Sequence, residues 1–132
     1  MNVEAHVKNL KESLELIDES IEKGLVERQR TIGFNTSAAS ADMLEIFLHK
    51  NGLIDQGTVI KHEWLKSKNK IEDKLPFDFP HKNEILGLML RIEEKRNALC
   101  YGKPQKREVL EEIIMTFNSL RELFREVGID EA

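Results

Sequence analysis

Apolar residues near the start of the chain recur with the spacing of an amphipathic helix. Seven aliphatic side chains follow one another at intervals of three or four residues: Val3, Val7, Leu10, Leu14, Ile17, Ile21 and Leu25. Because an α-helix has about 3.6 residues per turn, these intervals place them on one face. We therefore predict a helix that continues past Gly24, with a break near Gly33 and the capping residues Asn35-Thr36-Ser37.

Two further helices are predicted in the middle of the chain. The second extends from about Thr36 to Lys50, with small residues on one face and bulky apolar residues on another, and Asn51-Gly52 ends it. The third extends from about Thr58 to Lys74 and has only a thin apolar line, so we expect it at the periphery.

The last two helices are predicted from about His81 to Tyr101 and from about Gln105 to Val127, separated by Gly102 and Pro104. No stretch has the alternation of a strand. The pattern therefore predicts an all-α fold, a four- to five-helix antiparallel bundle that forms a single domain over residues 1–132.

Composition supports this fold class and narrows the function. The 132 residues include only 7 Gly and 3 Pro, with 6% aromatic residues, which favours helices over a many-turned β-sandwich. The net charge of −4 excludes a globally basic nucleic-acid clamp but leaves room for a local basic patch. Cys100 is the single cysteine, so an intramolecular disulfide and a cysteine metal cage are excluded. We find no leader segment and no apolar run of membrane-spanning length, and we expect a cytoplasmic protein without membrane contact.

Several kinds of chemistry have no motif in this chain. Neither of the glycine-rich phosphate-binding loops is present. His62-Glu63 begins like a zinc-protease motif, but Lys66 occupies the position of the second histidine. Because the four histidines, His6, His49, His62 and His81, fall in different segments, we expect no metal site, and we predict no cofactor.

Arg96 departs from the pattern of its helix. It lies on the apolar stripe of the fourth predicted helix, between Ile92 and Leu99. Arginine is rarely buried without a partner. One explanation is a salt bridge to an acid at the edge of the core, or a side chain that extends to solvent at the helix end. The other is an arginine held at a cleft to bind a phosphate.

The residues around Arg96 form a basic window, which we define as residues 95–107. It holds five cationic residues and no acid: Lys95, Arg96, Lys103, Lys106 and Arg107. The dipole of the preceding helix accounts for Lys95 and Lys103 but not for Lys106 and Arg107, which begin the next helix, where acids are preferred. The window therefore indicates a binding surface for an anionic partner.

The sequence Arg96-Asn97-Ala98-Leu99-Cys100-Tyr101, at the end of the penultimate helix, resembles the signature of the HEPN superfamily. Residues 38–50, with Glu45 among apolar residues, resemble the corresponding second helix, as in HEPN domains associated with minimal nucleotidyltransferases. The resemblance implies a symmetric homodimer whose motif helices line a shared cleft. Active members of the superfamily are metal-independent ribonucleases, many of them in toxin–antitoxin systems. Others partner nucleotidyltransferases or serve as inactive binding modules.

The chain differs from the HEPN signature where the histidine is expected, because Tyr101 occupies that position. A tyrosine is a poor base at neutral pH, but it can donate a hydrogen bond to phosphate or stack on a base. Three functions stay open: RNA or nucleotide binding at an Arg96-centred dimer cleft without histidine catalysis, an endoribonuclease that uses Tyr101, or a structural partner of another protein. Arg96, Asn97 and Tyr101 form the centre of the site in the first and are the catalytic residues in the second. The remaining window residues that bind phosphate are Lys95, Lys103, Lys106 and Arg107.

Overall fold

The computed structural model describes residues 2–130 and 132, and within them the secondary structure is entirely helical. The elements are α1 (Val3–Lys23), α2 (Gln29–Lys50), a 3₁₀ turn (His62–Lys66), α3 (Lys68–Lys74), α4 (Lys82–Tyr101) and α5 (Arg107–Glu126). The prediction of an all-α helical bundle is confirmed.

The first helix ends earlier than its apolar pattern predicted. The side chain of Asn2 caps its N-terminus by accepting a hydrogen bond from the Ala5 amide at 2.8 Å. At the other end Gly24 has φ 133°, which is not a helical conformation, and the helix stops there. Ile21 consequently lies outside the core, with 45% of its surface exposed, whereas Ser20 is buried in its place.

The predicted break near Gly33 is wrong, because α2 already begins at Gln29. The polar residues that suggested a cap bond back to their own helix instead. The Asn35 amide donates to the Thr31 carbonyl at 2.8 Å, and the Thr36 hydroxyl donates to the Ile32 carbonyl at 2.7 Å. A side chain that is satisfied in this way no longer competes with helical backbone hydrogen bonds.

The single third helix predicted from Thr58 to Lys74 is also wrong. The backbone up to Lys61 is not helical, and the Ile60 amide donates to the Glu45 carboxylate rather than to a helical carbonyl. The 3₁₀ turn follows, and Ser67 then caps α3 by accepting from the Lys70 amide at 3.2 Å. This segment is less peripheral than predicted, because Ile71 and Leu75 are fully buried in the main cluster of apolar side chains.

The four long helices run alternately up and down. His6 at the start of α1 contacts Glu45 near the end of α2, and Gly33 near the start of α2 lies against Leu99 near the end of α4. His81 just before α4 pairs with Glu126 at the end of α5 at 3.2 Å. Long helices that follow one another in the chain are therefore antiparallel, as predicted.

Helix α2 is the centre of this bundle, since it packs against α1, α4 and α5. Its small side chains Ser37, Ala39 and Ser40 are buried, and small residues let neighbouring helices approach closely. Next to the main cluster lies a second buried group: Leu25, Ile32, Leu99, Leu110 and Ile113. Among the described residues, none of the helices combines the length and the hydropathy needed to cross a bilayer.

Candidate functional site

A cavity of about 490 Å³ opens between α4 and the 3₁₀ turn, and we call it the Arg96 cavity. It is lined by His62, Glu63, Leu65, Lys66, Ser67, Leu90, Glu93, Glu94, Arg96 and Asn97. Arg96 and Asn97, two of the residues predicted for the site, therefore share one concave surface.

Arg96 is half-buried and is held by an aromatic ring rather than by an acid. Its guanidinium carbon lies 5.8 Å from the centroid of the Phe34 ring, within the range of a cation–π contact. Its Nε atom is buried without a hydrogen-bond partner, and no described carboxylate lies within ion-pair distance of the guanidinium. Glu45, the acid among the apolar residues of α2, contacts His6 and not Arg96.

A polar cluster on one wall of the Arg96 cavity joins three elements. The Ser37 hydroxyl of α2 donates to Glu93 Oε2 at 2.7 Å, and Nδ1 of His62 lies 3.1 Å from the same oxygen. Burial acts to raise the pKa of Glu93, but the hydrogen bonds from His62 and Ser37 and the positive charge of Arg96 outweigh it and lower the pKa. Glu93 is thus held as a carboxylate beside the arginine.

This cluster also determines which nitrogen of the His62 ring donates a hydrogen bond. An ionised carboxylate only accepts hydrogen bonds, so the hydrogen bond to Glu93 requires the proton on Nδ1. In the neutral imidazole, Nε2 is then the basic nitrogen. His62 is 44% exposed and lines the Arg96 cavity, so the cavity contains a candidate proton acceptor.

The same geometry argues against a serine nucleophile. In a Ser-His-acid triad the two imidazole nitrogens serve different partners, the acid on one side and the hydroxyl on the other. Here Ser37 Oγ lies 3.3 Å from Nδ1, the nitrogen that already faces Glu93, and its own proton is given to Glu93. Ser37 is also buried, and it positions Glu93.

Tyr101 does not line the Arg96 cavity. It is the last residue of α4, is 72% exposed, and borders a separate cavity with Arg30, Phe34 and Cys100. Phe34 lies between the two regions, since it borders this second cavity and also contacts Arg96. The predicted trio of Arg96, Asn97 and Tyr101 is therefore divided between two neighbouring depressions.

The cationic residues that flank Arg96 are all exposed, and none of them lines the Arg96 cavity. Lys95 lies on α4, Lys103 and Lys106 lie in the connection to α5, and Arg107 is the first residue of α5. Arg107 forms an ion pair with Glu111 at 2.8 Å, one turn along the same helix. Although residues 95–107 contain no acid, one of their positive charges, Arg107, is thus paired with an acid outside the window.

Gln29 holds the connection that carries these lysines. Its side-chain nitrogen donates to the carbonyls of Leu99 at 3.3 Å and Lys103 at 3.2 Å, and its oxygen accepts from the Gln105 amide at 2.7 Å. A buried side chain with three such bonds fixes the course of the loop between α4 and α5.

The expectation that the histidines stay far apart is wrong for two of the four. The rings of His6 and His49 stack with their centroids 6.2 Å apart, and Glu45 joins them. The antiparallel packing of α1 on α2 brings the first turn of one helix beside the last turns of the other.

His62, Glu93, Ser37 and Phe34 were not predicted as site residues. His62 and Glu93 are 31 positions apart, and no local spacing links them. The one sequence signal was Arg96 itself, because an arginine on an apolar stripe implies nearby polar or aromatic partners.

Comparison with models of known protein families, with curated proteins and with solved structures gives no match for this chain. The HEPN resemblance accordingly stays a prediction from the residues.

Proposed function

We propose that this protein binds a phosphate group of RNA or of a nucleotide at the Arg96 cavity, as a HEPN-like binding module. The observation that carries the proposal is that, within residues 2–130 and 132, Arg96 has no polar partner for its guanidinium. A half-buried guanidinium lines an open cavity, lacks a carboxylate partner among the described residues and keeps a buried N–H without an acceptor. Phosphate oxygens are the acceptors that match a guanidinium best.

The charges of the cavity favour one phosphate rather than a length of nucleic-acid backbone. Three glutamates, Glu63, Glu93 and Glu94, share the lining with two cations, Arg96 and Lys66, so a second phosphate inside would meet net repulsion. Further phosphates of a strand would instead follow Lys103 and Lys106, the exposed lysines in the connection between α4 and α5. Tyr101 and Phe34 offer exposed rings on which a base could stack along the way.

His62 supports a second candidate function, a metal-independent endoribonuclease. The predicted version of this activity relied on Tyr101 in place of the motif histidine. The structure offers His62 beside Arg96 instead, with Nε2 available as the base that would take the proton of a ribose 2′-hydroxyl as it attacks the phosphodiester. Arg96 would then stabilise the charge that develops on the phosphate.

The partners implied by the resemblance belong to the same proposal: a second copy of the chain, and an antitoxin or a minimal nucleotidyltransferase as a heterologous partner. Two exposed rings near Arg96, Phe34 at 52% and Tyr101 at 72%, are the apolar surface that a second copy would cover.

The test is the affinity for a short labelled single-stranded RNA, measured for wild type, Arg96→Ala and the control Arg91→Ala. Arg91 is an exposed arginine on the same helix that borders cavities next to α5. Loss of a charge-assisted contact costs about 1.5–3 kcal/mol, so Arg96→Ala should bind at least tenfold more weakly. Arg91→Ala should stay near wild type.

Salt dependence and stability complete the test. Each neutralised phosphate of a single strand contributes about −0.7 to the slope of log affinity against log salt. Replacing Lys103 and Lys106 by Ala should therefore flatten the slope by about one unit. The alternative, a purely structural helical partner, predicts that Arg96→Ala reduces the free energy of unfolding by about 3–5 kcal/mol and leaves RNA binding unchanged or absent.

The ribonuclease candidate has its own variants. If His62 is the base, purified protein cleaves RNA without metal, His62→Ala abolishes cleavage, and Tyr101→Phe retains it. Cleavage that is lost in Tyr101→Phe but kept in His62→Ala would assign the role to the tyrosine. Binding without cleavage by wild type would leave the binding module as the function.

A further inference from the structure

Three potential ligand side chains meet where the start of α1 packs against the end of α2. His6 comes from α1, and Glu45 and His49 come from α2, where their spacing of four residues places them on one face. One ligand atom from each of the three lies within 4.8 Å of the others. His6 and Glu45 are buried, and His49 is half-buried.

The atoms that converge there lack ordinary partners. His6 Nε2, Glu45 Oε2 and His49 Nε2 are all buried, and none makes a hydrogen bond within the described part of the chain. His6 Nε2 and Glu45 Oε2 lie within ion-pair distance of each other but without hydrogen-bond geometry. Buried polar atoms nearly always have a hydrogen-bond partner or a bound ion. Three buried atoms that lack a hydrogen bond and surround one point therefore indicate a ligand that all three share.

The opposite edges of two of these groups are firmly held. Asp42 Oδ1 lies 2.8 Å from His6 Nδ1, and the Ile60 amide donates to Glu45 Oε1. A histidine that donates its Nδ1 proton to a carboxylate presents the lone pair of Nε2, and this is the arrangement that orients histidine ligands of metals. The remaining atoms of these two side chains, His6 Nε2 and Glu45 Oε2, are the ones that face the cluster.

We propose that His6, Glu45 and His49 bind a divalent transition-metal ion, with Asp42 positioning His6. Two imidazole nitrogens and one carboxylate oxygen suit Zn²⁺ and its transition-metal neighbours, whereas Mg²⁺ and Ca²⁺ take oxygen ligands. The ion would also balance the two carboxylates, Asp42 and Glu45, that are packed together there.

The surroundings leave a route for the ion and a place for one more ligand. A cavity of about 350 Å³ is lined by His6, Asp42 and Glu45 together with residues of the Val59–Ile60 stretch. Three protein ligands with a fourth position open to such a cavity match a site that keeps a bound water. The alternative to a metal ion is a second proton on His6, which would let the ring bridge Asp42 and Glu45. That arrangement leaves His49 Nε2 without a partner among the described residues.

The experiment titrates Co²⁺ into protein treated with a chelator, follows the visible absorption bands of the bound ion, and then displaces Co²⁺ with Zn²⁺. The variants are His49→Asn and the control His81→Asn. His81 is a surface histidine paired with Glu84 and Glu126, and it has φ 60°, a conformation that asparagine tolerates well. Since His49 is only half-buried, its replacement should leave the fold intact, which circular dichroism checks.

We expect one equivalent of Co²⁺ per chain, displacement by Zn²⁺, and at least tenfold weaker binding by His49→Asn with no change in His81→Asn. A wild-type protein that shows no saturable binding would overturn the proposal, and so would equal affinity in His49→Asn and wild type. None of the three ligands lines the Arg96 cavity, so RNA binding by Arg96 succeeds or fails independently of this result.

Discussion

Gly33 of α2 lies directly against Leu99 of α4, so closely that a β-carbon on Gly33 would come within 2.5 Å of the Leu99 β-carbon. Real β-carbons do not approach this near, and the neighbour is a buried side chain in the second apolar cluster. The glycine therefore sets the separation of the two helices that carry Ser37, Glu93 and Arg96.

Replacing Gly33 by alanine should destabilise the protein by about 1–3 kcal/mol, the usual cost of forcing extra volume into a packed core. The matched control is Gly87→Ala in α4, where nothing lies within 4 Å of the added β-carbon. That change should raise the free energy of unfolding by up to about 1 kcal/mol, because alanine favours the helix over glycine. Urea denaturation measures both, and equal effects would contradict the packing role of Gly33.

The lowered pKa of Glu93 makes the stability of the protein depend on pH. Because the folded-state pKa lies below the ordinary value of 4.5, the unfolded chain binds more protons as the pH falls below that value. The contribution of Glu93 is therefore present above pH 4.5 and is lost as the pH falls through the folded-state value. We therefore expect the difference in unfolding free energy between wild type and Glu93→Gln to become smaller as the pH falls below 4.5.

Two variants sharpen the Glu93 measurement. Ser37→Ala removes one of the hydrogen bonds that stabilise the carboxylate, so part of the pH dependence should disappear with it. Glu94→Gln removes a charge at the exposed neighbouring position and reports the effect of charge alone. If the free energies of unfolding of Glu93→Gln and wild type differ by the same amount at every pH, the pKa of Glu93 is not lowered.

Cys100 should react slowly with thiol reagents despite its position near the surface. Burial raises the pKa of its thiol, and the positive charges of Arg96 and Arg30 only partly oppose this. Since the thiolate is the reactive form, alkylation by iodoacetamide at mildly alkaline pH should be slower in the folded protein than in urea. Equal rates in the two conditions would show that the thiol is not protected from the reagent and that its pKa is not raised.

The proposed homodimer can be tested at Phe34. Phe34 and Val59 border one cavity and Phe34 and Tyr101 another, so exposed apolar side chains follow one another across this face. A charge at the centre of a covered apolar surface is costly, so Phe34→Glu should convert a dimer to a monomer in sedimentation velocity. Met115→Glu is the control, because Met115 is 70% exposed on α5, away from this face. A wild-type monomer at tens of micromolar would exclude the dimer.

The apolar periodicity predicted most of the bundle because it depends on the helix itself. In α5 the buried residues recur at intervals of three or four, as helix geometry requires: Leu110, Ile113, Phe117, Leu120 and Phe124. Where the periodicity failed, a local signal had more than one meaning. Gly33 and Asn35-Thr36 are typical of a helix break, but in the folded chain the glycine makes room for Leu99 and the polar side chains bond to their own helix.

For the candidate site, the sequence by itself determined that Arg96 lies on a face turned toward other helices and that its neighbours are basic. Only the tertiary structure determined the partners: Phe34 under the guanidinium, Glu93 and His62 beside it, and Tyr101 in a different depression. The same holds for His6 and His49, which are 43 positions apart in sequence. Periodicity specifies which face of a helix is buried, but contacts between distant residues depend on how the helices pack. That packing follows from the fit of residues on facing helices, as where Gly33 leaves room for the Leu99 side chain.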